Sequence, residues 1–478
     1  MVWRVKQRTK LSAVESSATS RLAEGGHDAA TTDRYVRELL AGDGAPCRNL
    51  ASFVTTRMDV WADGLAVESI GKNLVNSAEY PNTEIIHQRV IRIIANLFHA
   101  ELPPSEDADG LIGTTTVGSS EAVLLALLAH KRNWRNNRRK LPCASHKDQP
   151  YLVIGTHTHA CFTKFARYFD VNVKWVPLEP GQYAITAAQV QAVLETAISD
   201  DPQVLQECGF SPEEAAGRRF GELVMAIGCV VGTTYTGALD DVAGIDRILT
   251  EGGWEIPIHV DAASAGFVLP FTQPELLWDF RLKHVQSINV SNHKFGMVYA
   301  GLGTLVFRNV RIVPDELRVD VDYLSGEMRH FGLNFSRASN GVVLQYYNFL
   351  HLGYSGYRRV IQDCLKTSRF LAASLAAQPG FEVVSDPLMP VVAVRLRPAF
   401  SSLTLSALAE CLKRQGWIVP VYRLPANLAE VEVMRIVVKP EFTDAEARTF
   451  LHDLIAAVAE LTAPRRAGIF KQWAEALL

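Results

Sequence analysis

Ile256-Pro257-Ile258-His259-Val260-Asp261-Ala262-Ala263-Ser264 is the stretch whose reading decides the fold: a short apolar run that stops on an acid. The same pattern recurs in 286–290, which ends at Ser291 and leads into Asn292-His293-Lys294-Phe295-Gly296. Upstream lie further runs at 151–155, at 171–176, and at 223–231, the last ending in Gly232-Thr233-Thr234; downstream lies 302–307. An amphipathic stretch, 159–169, separates the first two. Strands apolar on both faces and alternating with helices predict a mainly parallel sheet in an α/β domain. Polar residues gathered just beyond the strand ends predict a ligand crevice along the carboxyl edge of that sheet.

Past Tyr346 the pattern changes. A helix is expected over 357–377, short strands near 391–396 and 434–438, and a last helix over 444–461, which together read as a smaller α+β domain. The expected division is an N-terminal arm over 1–55, a large domain over 56–345 and a small C-terminal domain over 346–478. Residues 1 to about 45 are rich in Ser, Thr, Ala and Gly and read as an arm or frayed tail. The polar stretch 200–222, with Pro202, Pro212, Gly209 and Gly217, reads as an inserted surface excursion. The basic stretch 465–473 reads as a packed terminal helix rather than a partner-binding tail. A net charge of −3 and a sequence pI of about 6.5 point away from nucleic acid or an anionic membrane as the partner. Seven scattered cysteines with no C-x-x-C pair argue against a disulfide framework or a structural zinc site and fit a reducing cytoplasm. The opening residues carry no apolar core of a signal peptide, and the longest apolar run, 122–129, is too short to span a bilayer.

Three features carry chemistry. Gly118-Ser119-Ser120-Glu121-Ala122 opens a long helix; Ser119 and Ser120 are expected at its N-cap, where free N–H groups and the helix dipole attract a phosphate. Taken alone, Ser-Ser-Glu before an apolar helix is more often only a cap. Asp261 at a strand end is costly to bury unless paired, either with a local turn or with a cationic ring nitrogen. Lys294 would point into the same crevice, where desolvation makes an amine nucleophilic, although most lysines are simply exposed. Together these supply what pyridoxal 5′-phosphate (PLP) requires: an amine to bind its aldehyde, an anion site, and an acid to keep its ring nitrogen protonated. A metal centre is not expected: His157, His159, His259 and His293 lack a ligand spacing.

From roughly Arg48 to Val438 the chain resembles the glutamate decarboxylases of the group II PLP-dependent decarboxylase family. The resemblance rests on Asn49-Leu50-Ala51-Ser52-Phe53, Glu79-Tyr80-Pro81, the Gly118 block, Lys164-Phe165-Ala166-Arg167-Tyr168, Gly232-Thr233-Thr234-Tyr235-Thr236-Gly237, the Asp261 block, His293-Lys294, Asn334-Phe335-Ser336-Arg337 and Met434-Arg435. It implies the type I, aspartate aminotransferase-like fold and α-decarboxylation of a small acidic L-amino acid, foremost L-glutamate to 4-aminobutanoate and CO2. It implies Lys294 as the cofactor lysine and Asp261 as the partner of the ring nitrogen. Ser119 and Ser120 would hold the phosphate, with Ser336 added from a partner subunit of a homodimer or higher homo-oligomer that shares its active sites. His159 would stack on one ring face and Ala263 meet the other; Thr234 would lie near the phenolic oxygen, and His293 would brace the phosphate. Arg435 would orient the substrate α-carboxylate, and Tyr323 would be a proton donor on a mobile loop.

The substrate end departs from the family pattern. His87 stands where an Asp is usual, with Ser52 and Phe53 beside it, and Arg329, His330 and Arg423 add positive charge. Rim drift and an altered, more cationic pocket both explain these changes. Two alternatives therefore stay open: decarboxylation or oxidative deamination of a different or modified acidic amino acid, and a cofactor-retaining but idle binding subunit. Intact Lys294, Asp261 and Tyr323 argue against the second.

Overall fold

A computed structural model describes residues 22, 24–76, 78–102, 112–140, 144–321, 328–400 and 403–462. Seven strands make the central sheet: β1 (Gly113–Thr116), β2 (Tyr151–Gly155), β3 (Asn172–Val176), β4 (Val224–Val230), β5 (Ile258–Asp261), β6 (Val285–Val290) and β7 (Gly303–Phe307). Their order is β1-β7-β6-β5-β4-β2-β3. Every residue of β2, β4 and β5 is buried, as strands covered on both faces must be. Pairing is parallel from β6 through β5, β4 and β2 to β3, so Asp261, Val290, Val230 and Gly155 end on one edge. β7 runs antiparallel to both β6 and β1, because the chain turns straight back after the Lys294 loop. Its first residue, Gly303, therefore also reaches that edge, paired with Thr116. A Cβ on Gly303 would stand 2.6 Å from the carbonyl carbon of Gly118, so this crossing needs a glycine.

The strand expectations hold to within a residue or two. β1 was not foreseen as a strand; its Thr-Thr-Thr run had been absorbed into the glycine-serine motif. The helix that follows, Ser119–Arg138, begins two residues earlier than the expected start at Glu121. Gly118, at φ +78°, is the N-cap, and Ser119 and Ser120 are the first two helical residues. Only glycine takes that backbone conformation without strain, so the cap falls on it and the serines are freed to face the crevice.

A second, antiparallel sheet has the order β10-β11-β13-β12, built from β10 (Phe381–Val383), β11 (Val391–Leu396), β12 (Val421–Arg423) and β13 (Glu432–Val437). Two short strands, β8 (Val319–Val321) and β9 (Met328–His330), pair separately. The helices Leu405–Arg414 and Asp444–Thr462 cover the second sheet around Trp417, whose indole donates to Asp453 Oδ2 at 2.8 Å. One helix, Asn340–Ala376, packs on the helices Val60–Ser69 and Pro81–Leu97 and also on β10 and β11. The expected domain limit at 345 and 346 falls inside this helix; the backbone leaves helical geometry at Gly353 instead (φ +58°, ψ −175°).

One expectation is corrected, that for 200–222. The N-terminal arm contains the helix Ala29–Leu40, capped by Asp28 and without a buried residue, and its end is anchored. Leu50 N donates to Ile418 O and Leu50 O accepts from Val437 N, which ties residue 50 to the small sheet, while Thr55 N donates to His293 O beside the large one. The stretch 200–222 is not a surface excursion. It folds into the helices Pro202–Cys208 and Pro212–Ala215 and a helical turn Phe220–Leu223, and buries Val204, Phe210, Ala215 and Phe220 against the core. Its polar composition reflects capping: Asp201, Ser211 and Glu214 each bond a helix-start N–H or cap. The stretch 465–473 lies outside the described residues.

Phe220 is fully buried, with its ring 5.0 Å from that of Tyr151. Phe220→Ala is expected to lower stability by about 3–5 kcal/mol, whereas Glu213→Ala on the exposed side of the same stretch should stay within about 0.5 kcal/mol. Urea unfolding followed by circular dichroism compares the two. Equal midpoints would mean that 200–222 adds nothing to the core.

Candidate active site

The carboxyl edge of the central sheet encloses a cavity of about 230 Å³. Ser119, Ser120, His159, Thr234, Asp261, Ala263, His293 and Lys294 all line it, so the cofactor end of the expected site comes together from five separate segments. Parallel strands end at one edge, and the loop after each strand contributes there.

Lys294 sits in a turn just after β6, its N–H donating to Ser291 O at 3.0 Å. Thr55 Oγ1 donates to Lys294 O at 2.8 Å, which pins the turn from the N-terminal side. The ammonium Nζ donates to Ser264 Oγ at 3.3 Å and lies 5.1 Å from the centre of the Phe53 ring. Burial pushes its pKa below the ordinary lysine value; Asp261 opposes this and Arg435 reinforces it. Asp261 ends β5 at 4% exposure, and its Oδ1 accepts from Ala263 N at 3.0 Å and Asn289 Nδ2 at 2.8 Å. An acid so enclosed, with donors on one oxygen, can meet a cation with the other.

At the opposite end, Ser119 Oγ and Ser291 Oγ lie 2.7 Å apart beside the start of the helix Ser119–Arg138. His293 Nδ1 donates to Leu302 O at 2.7 Å, which leaves Nε2 without a proton in the neutral ring. Burial holds His293 below the usual histidine pKa. A Cβ on Gly118 would come 3.2 Å from His293 Cε1, so the glycine keeps this end open. His159 caps the helix Ala160–Tyr168 by accepting from Cys161 N at 3.3 Å. Its pKa is lowered by burial, partly offset by Asp261.

The substrate-end residues are placed differently. Phe53 is buried between two cations: Lys294 Nζ at 5.1 Å and the Arg435 guanidinium at 4.8 Å from its ring centre. Arg435 donates to the carbonyls of Thr234 and Ala51, and its Nε is buried without a partner. Ser52 accepts from Val54 N in its own loop. His87 does not line the cavity; its Nε2 bonds Thr115 Oγ1 at 2.8 Å and its Nδ1 Glu84 Oε2 at 3.2 Å, so both ring nitrogens are engaged. Arg423 is exposed and bonds Ala429 O. Ser336 is exposed, 3.3 Å from Asn73 Nδ2, and does not line the cavity of its own chain. Tyr323 and the side chains of Arg329 and His330 lie outside the described residues.

Several site residues escaped sequence reasoning. Ser264 and Ser291 line the cavity and stand just after strand ends, the signal that had singled out Asp261 and Lys294. His157 also lines it. His157 Nε2 lies 3.0 Å from Asp240 Oδ1, and its Nδ1 is buried without a partner. It had been weighed only as a metal ligand. Asn289 is a fully buried polar residue of β6, directly opposite Asp261 in the register.

This donor set fits PLP. One end offers serine hydroxyls and the unsatisfied N–H groups of a helix start for a phosphate, the side wall an enclosed carboxylate for a ring nitrogen, and the remaining wall an amine with a lowered pKa. The pyridoxal-dependent decarboxylase conserved domain matches residues 47–397 of the sequence. The chain belongs to the pyridoxal-dependent decarboxylase family. A glutamate decarboxylase from Solanum lycopersicum is 39% identical, over 91% of this chain and 81% of that protein. A glutamate decarboxylase beta from Listeria innocua is 34% identical, over 90% of this chain and 87% of that protein. The solved structure of Lactobacillus brevis glutamate decarboxylase superposes with a TM-score of 0.81 at 35% identity, covering 93% of this chain and 95% of that one. The fold is thus the type I fold of PLP enzymes expected from the sequence, and the cofactor of this decarboxylase is PLP.

With its pKa lowered by burial, Lys294 loses its proton at lower pH than a free lysine does. The amine that captures the cofactor therefore becomes available earlier as pH rises. Absorbance-monitored loading of the apoprotein is expected to accelerate with pH along a limb centred below 10.5, the ordinary lysine value. Borohydride followed by peptide mass spectrometry should then find the cofactor on Lys294. A limb at or above 10.5, or cofactor fixed on another lysine, would refute the assignment.

Proposed function

We propose that this decarboxylase acts on L-glutamate, releasing CO2 and leaving 4-aminobutanoate. The observation that carries the reading is the match to glutamate decarboxylases along nearly the whole chain, 39% identical over 91% of it, joined to a cavity equipped for the cofactor. When bound, PLP withdraws electrons from Cα and so lets the α-carboxylate depart. The chain's residues supply the rest. Lys294 would hold the cofactor through its amine. Asp261 holds a proton on the ring nitrogen by charge pairing. Ser119, Ser120 and the helix start bind the phosphate, with His293 bracing that end. His159 and Ala263 enclose the ring, and Thr234 sits beside its phenolic oxygen.

Arg435 orients the α-carboxylate. Support for this comes from its position: it shares the Phe53 ring with Lys294, and its buried Nε lacks a partner. A carboxylate there gains charge-assisted hydrogen bonds, the stronger kind. Tyr323 is the candidate for returning a proton to Cα. At the distal end, Ser52, Phe53 and His87 remain the candidate contacts, although His87 is engaged within its own chain and would have to exchange a partner. A cytoplasmic location fits the cysteine usage. Among the described residues no helix is long and apolar enough to cross a membrane.

Selectivity must come from the distal pocket, since bond cleavage needs only the cofactor and a correctly oriented carboxylate. An apolar side chain would leave buried donors unpaired, at about 1–3 kcal/mol each. Steady-state kinetics on glutamate, aspartate, cysteate, leucine and tyrosine are expected to rank glutamate first in kcat/KM. If leucine or tyrosine wins, the acidic pocket is wrong; if another acidic analogue wins, the pocket stands and the substrate is reassigned.

We also propose a homodimer or higher homo-oligomer with shared sites. Support comes from Ser336, which is exposed and does not line its own chain's cavity and so is available to a neighbour's phosphate. Sedimentation of the holoenzyme should give at least a dimer, and Ser336→Ala should weaken cofactor retention on dialysis without dissociating it. A fully active monomer is incompatible with this arrangement.

A further inference from the structure

Behind Asp261, on one face of the sheet, four side chains from two neighbouring strands form a square. His259 pairs with Ser287 in the β5–β6 register, and Asp261 pairs with Asn289. His130 closes the row from the helix Ser119–Arg138. Ser287 Oγ lies 2.7 Å from His130 Nε2 and 2.8 Å from His259 Nδ1. Asn289 Nδ2 lies 2.8 Å from Asp261 Oδ1. His259, Ser287 and Asn289 are fully buried and His130 is 2% exposed. Two atoms of the square have no hydrogen-bond partner, His259 Nε2 and Asn289 Oδ1. Burial drives the pKa of His259 down to about 3 and that of His130 to about 4, so both rings are neutral at physiological pH. The Asn289 side chain is one of the groups that pull His259 back up, which places its polar end beside that ring.

Proton counting settles the direction. A carboxylate only accepts, so Asn289 turns its amide nitrogen to Asp261 and its oxygen away. A hydroxyl has a single proton, so Ser287 donates to one imidazole and accepts from the other. If His259 carried its proton on Nδ1, its Nε2 would be a second bare acceptor beside the orphaned Asn289 oxygen. With the proton on Nε2, His259 becomes the donor available to that oxygen, accepts from Ser287, and Ser287 accepts from His130 Nε2–H. This is the assignment in which the two orphaned atoms are complementary, a donor and an acceptor, as a low-dielectric interior favours.

We infer that His130, Ser287, His259 and Asn289 form a one-way hydrogen-bond row, all protons pointing toward Asp261, that holds this carboxylate as an anion and so keeps the cofactor's ring nitrogen protonated. Donors aimed at a carboxylate favour its charged form, and aligned hydrogen bonds polarise one another. His259, Ser287 and His130 are positioning residues, two to four groups removed from the ring. The inference rests on Asp261 being the partner of the ring nitrogen.

Holoenzyme carrying PLP labelled with ¹⁵N in its ring, and separately holoenzyme with ¹⁵N-histidine, provides the test by NMR. In the wild type, His259, identified by its absence in His259→Leu, is expected to be the neutral Nε2–H form. His259→Leu should shift the ring-nitrogen signal toward its unprotonated position and reduce kcat by about tenfold with KM little changed, the size of one hydrogen bond. Ser287→Thr, which keeps the hydroxyl, should restore both readouts relative to Ser287→Ala. A proton on His259 Nδ1 overturns the inference. So does a ring-nitrogen signal unmoved in His259→Leu but displaced in Asp261→Asn. If Asp261→Asn leaves the signal unmoved as well, the pairing of Asp261 with the ring is what fails.

Discussion

Burying one carboxylate organises this molecule. Asp261 stands at 4% exposure at the end of β5, where an uncompensated charge would cost several kcal/mol. Its Oδ1 is satisfied from its own loop by Ala263 N and from the next strand by Asn289 Nδ2. The second oxygen is left to a cation. That demand is met by the register of β5 against β6, which places Asn289 opposite Asp261, and the same register sends the chain from Val290 through Ser291 into the turn that presents Lys294.

The cavity is therefore a consequence of topology as much as of side-chain choice. Parallel strands bring the ends of β2, β4, β5 and β6 to one edge, and the reversal of β7 brings Gly303 there as well. Gly303 in turn lets Gly118 approach, and the positive φ of Gly118 starts the helix whose first residues are the two serines. The segment around residues 50–55 then locks the two sheets to each other: Leu50 bonds with the small sheet, Phe53 lies between the two cations, and Thr55 bonds the backbone at His293 and Lys294. An arm that composition marks as a tail thus ends as a structural hinge pin for the site.

Electrostatics within the site follow from enclosure. Desolvation lowers the pKa of Lys294, His159 and His293 alike, which favours the neutral form of each relative to the free side chain. Neutral imidazoles can then serve as oriented donors and acceptors. His293 does so with Leu302 O, His159 with Cys161 N, and the His130–Ser287–His259 row does so behind the sheet. Phe53 separates Arg435 from Lys294 with an aromatic face that tolerates both.

Much of this was legible in the chain. Apolar runs ending in Asp261, in Ser291 before Lys294, and in Gly232-Thr233-Thr234 announce strands and their polar ends, because strand burial and strand-end chemistry are both local. The cofactor residues are legible for that reason. Composition misread 200–222, because helix caps are polar whether the helix packs on a core or stands in solvent; the burial of Phe220 and Val204 is a long-range fact. His87 looked available for a substrate, yet its partners Thr115 and Glu84 occupy both nitrogens, and the pairing with Thr115 comes from a separate strand. What the sequence by itself determined is the alternation of strands and helices and the family, and it singled out Lys294 as the candidate cofactor lysine. What only the tertiary structure decided is which buried polar atoms face one another across neighbouring strands. Hydrogen bonds such as Asn289 to Asp261 and Ser287 to His259 depend on register, and register is set by the packing of the whole sheet rather than by any one segment.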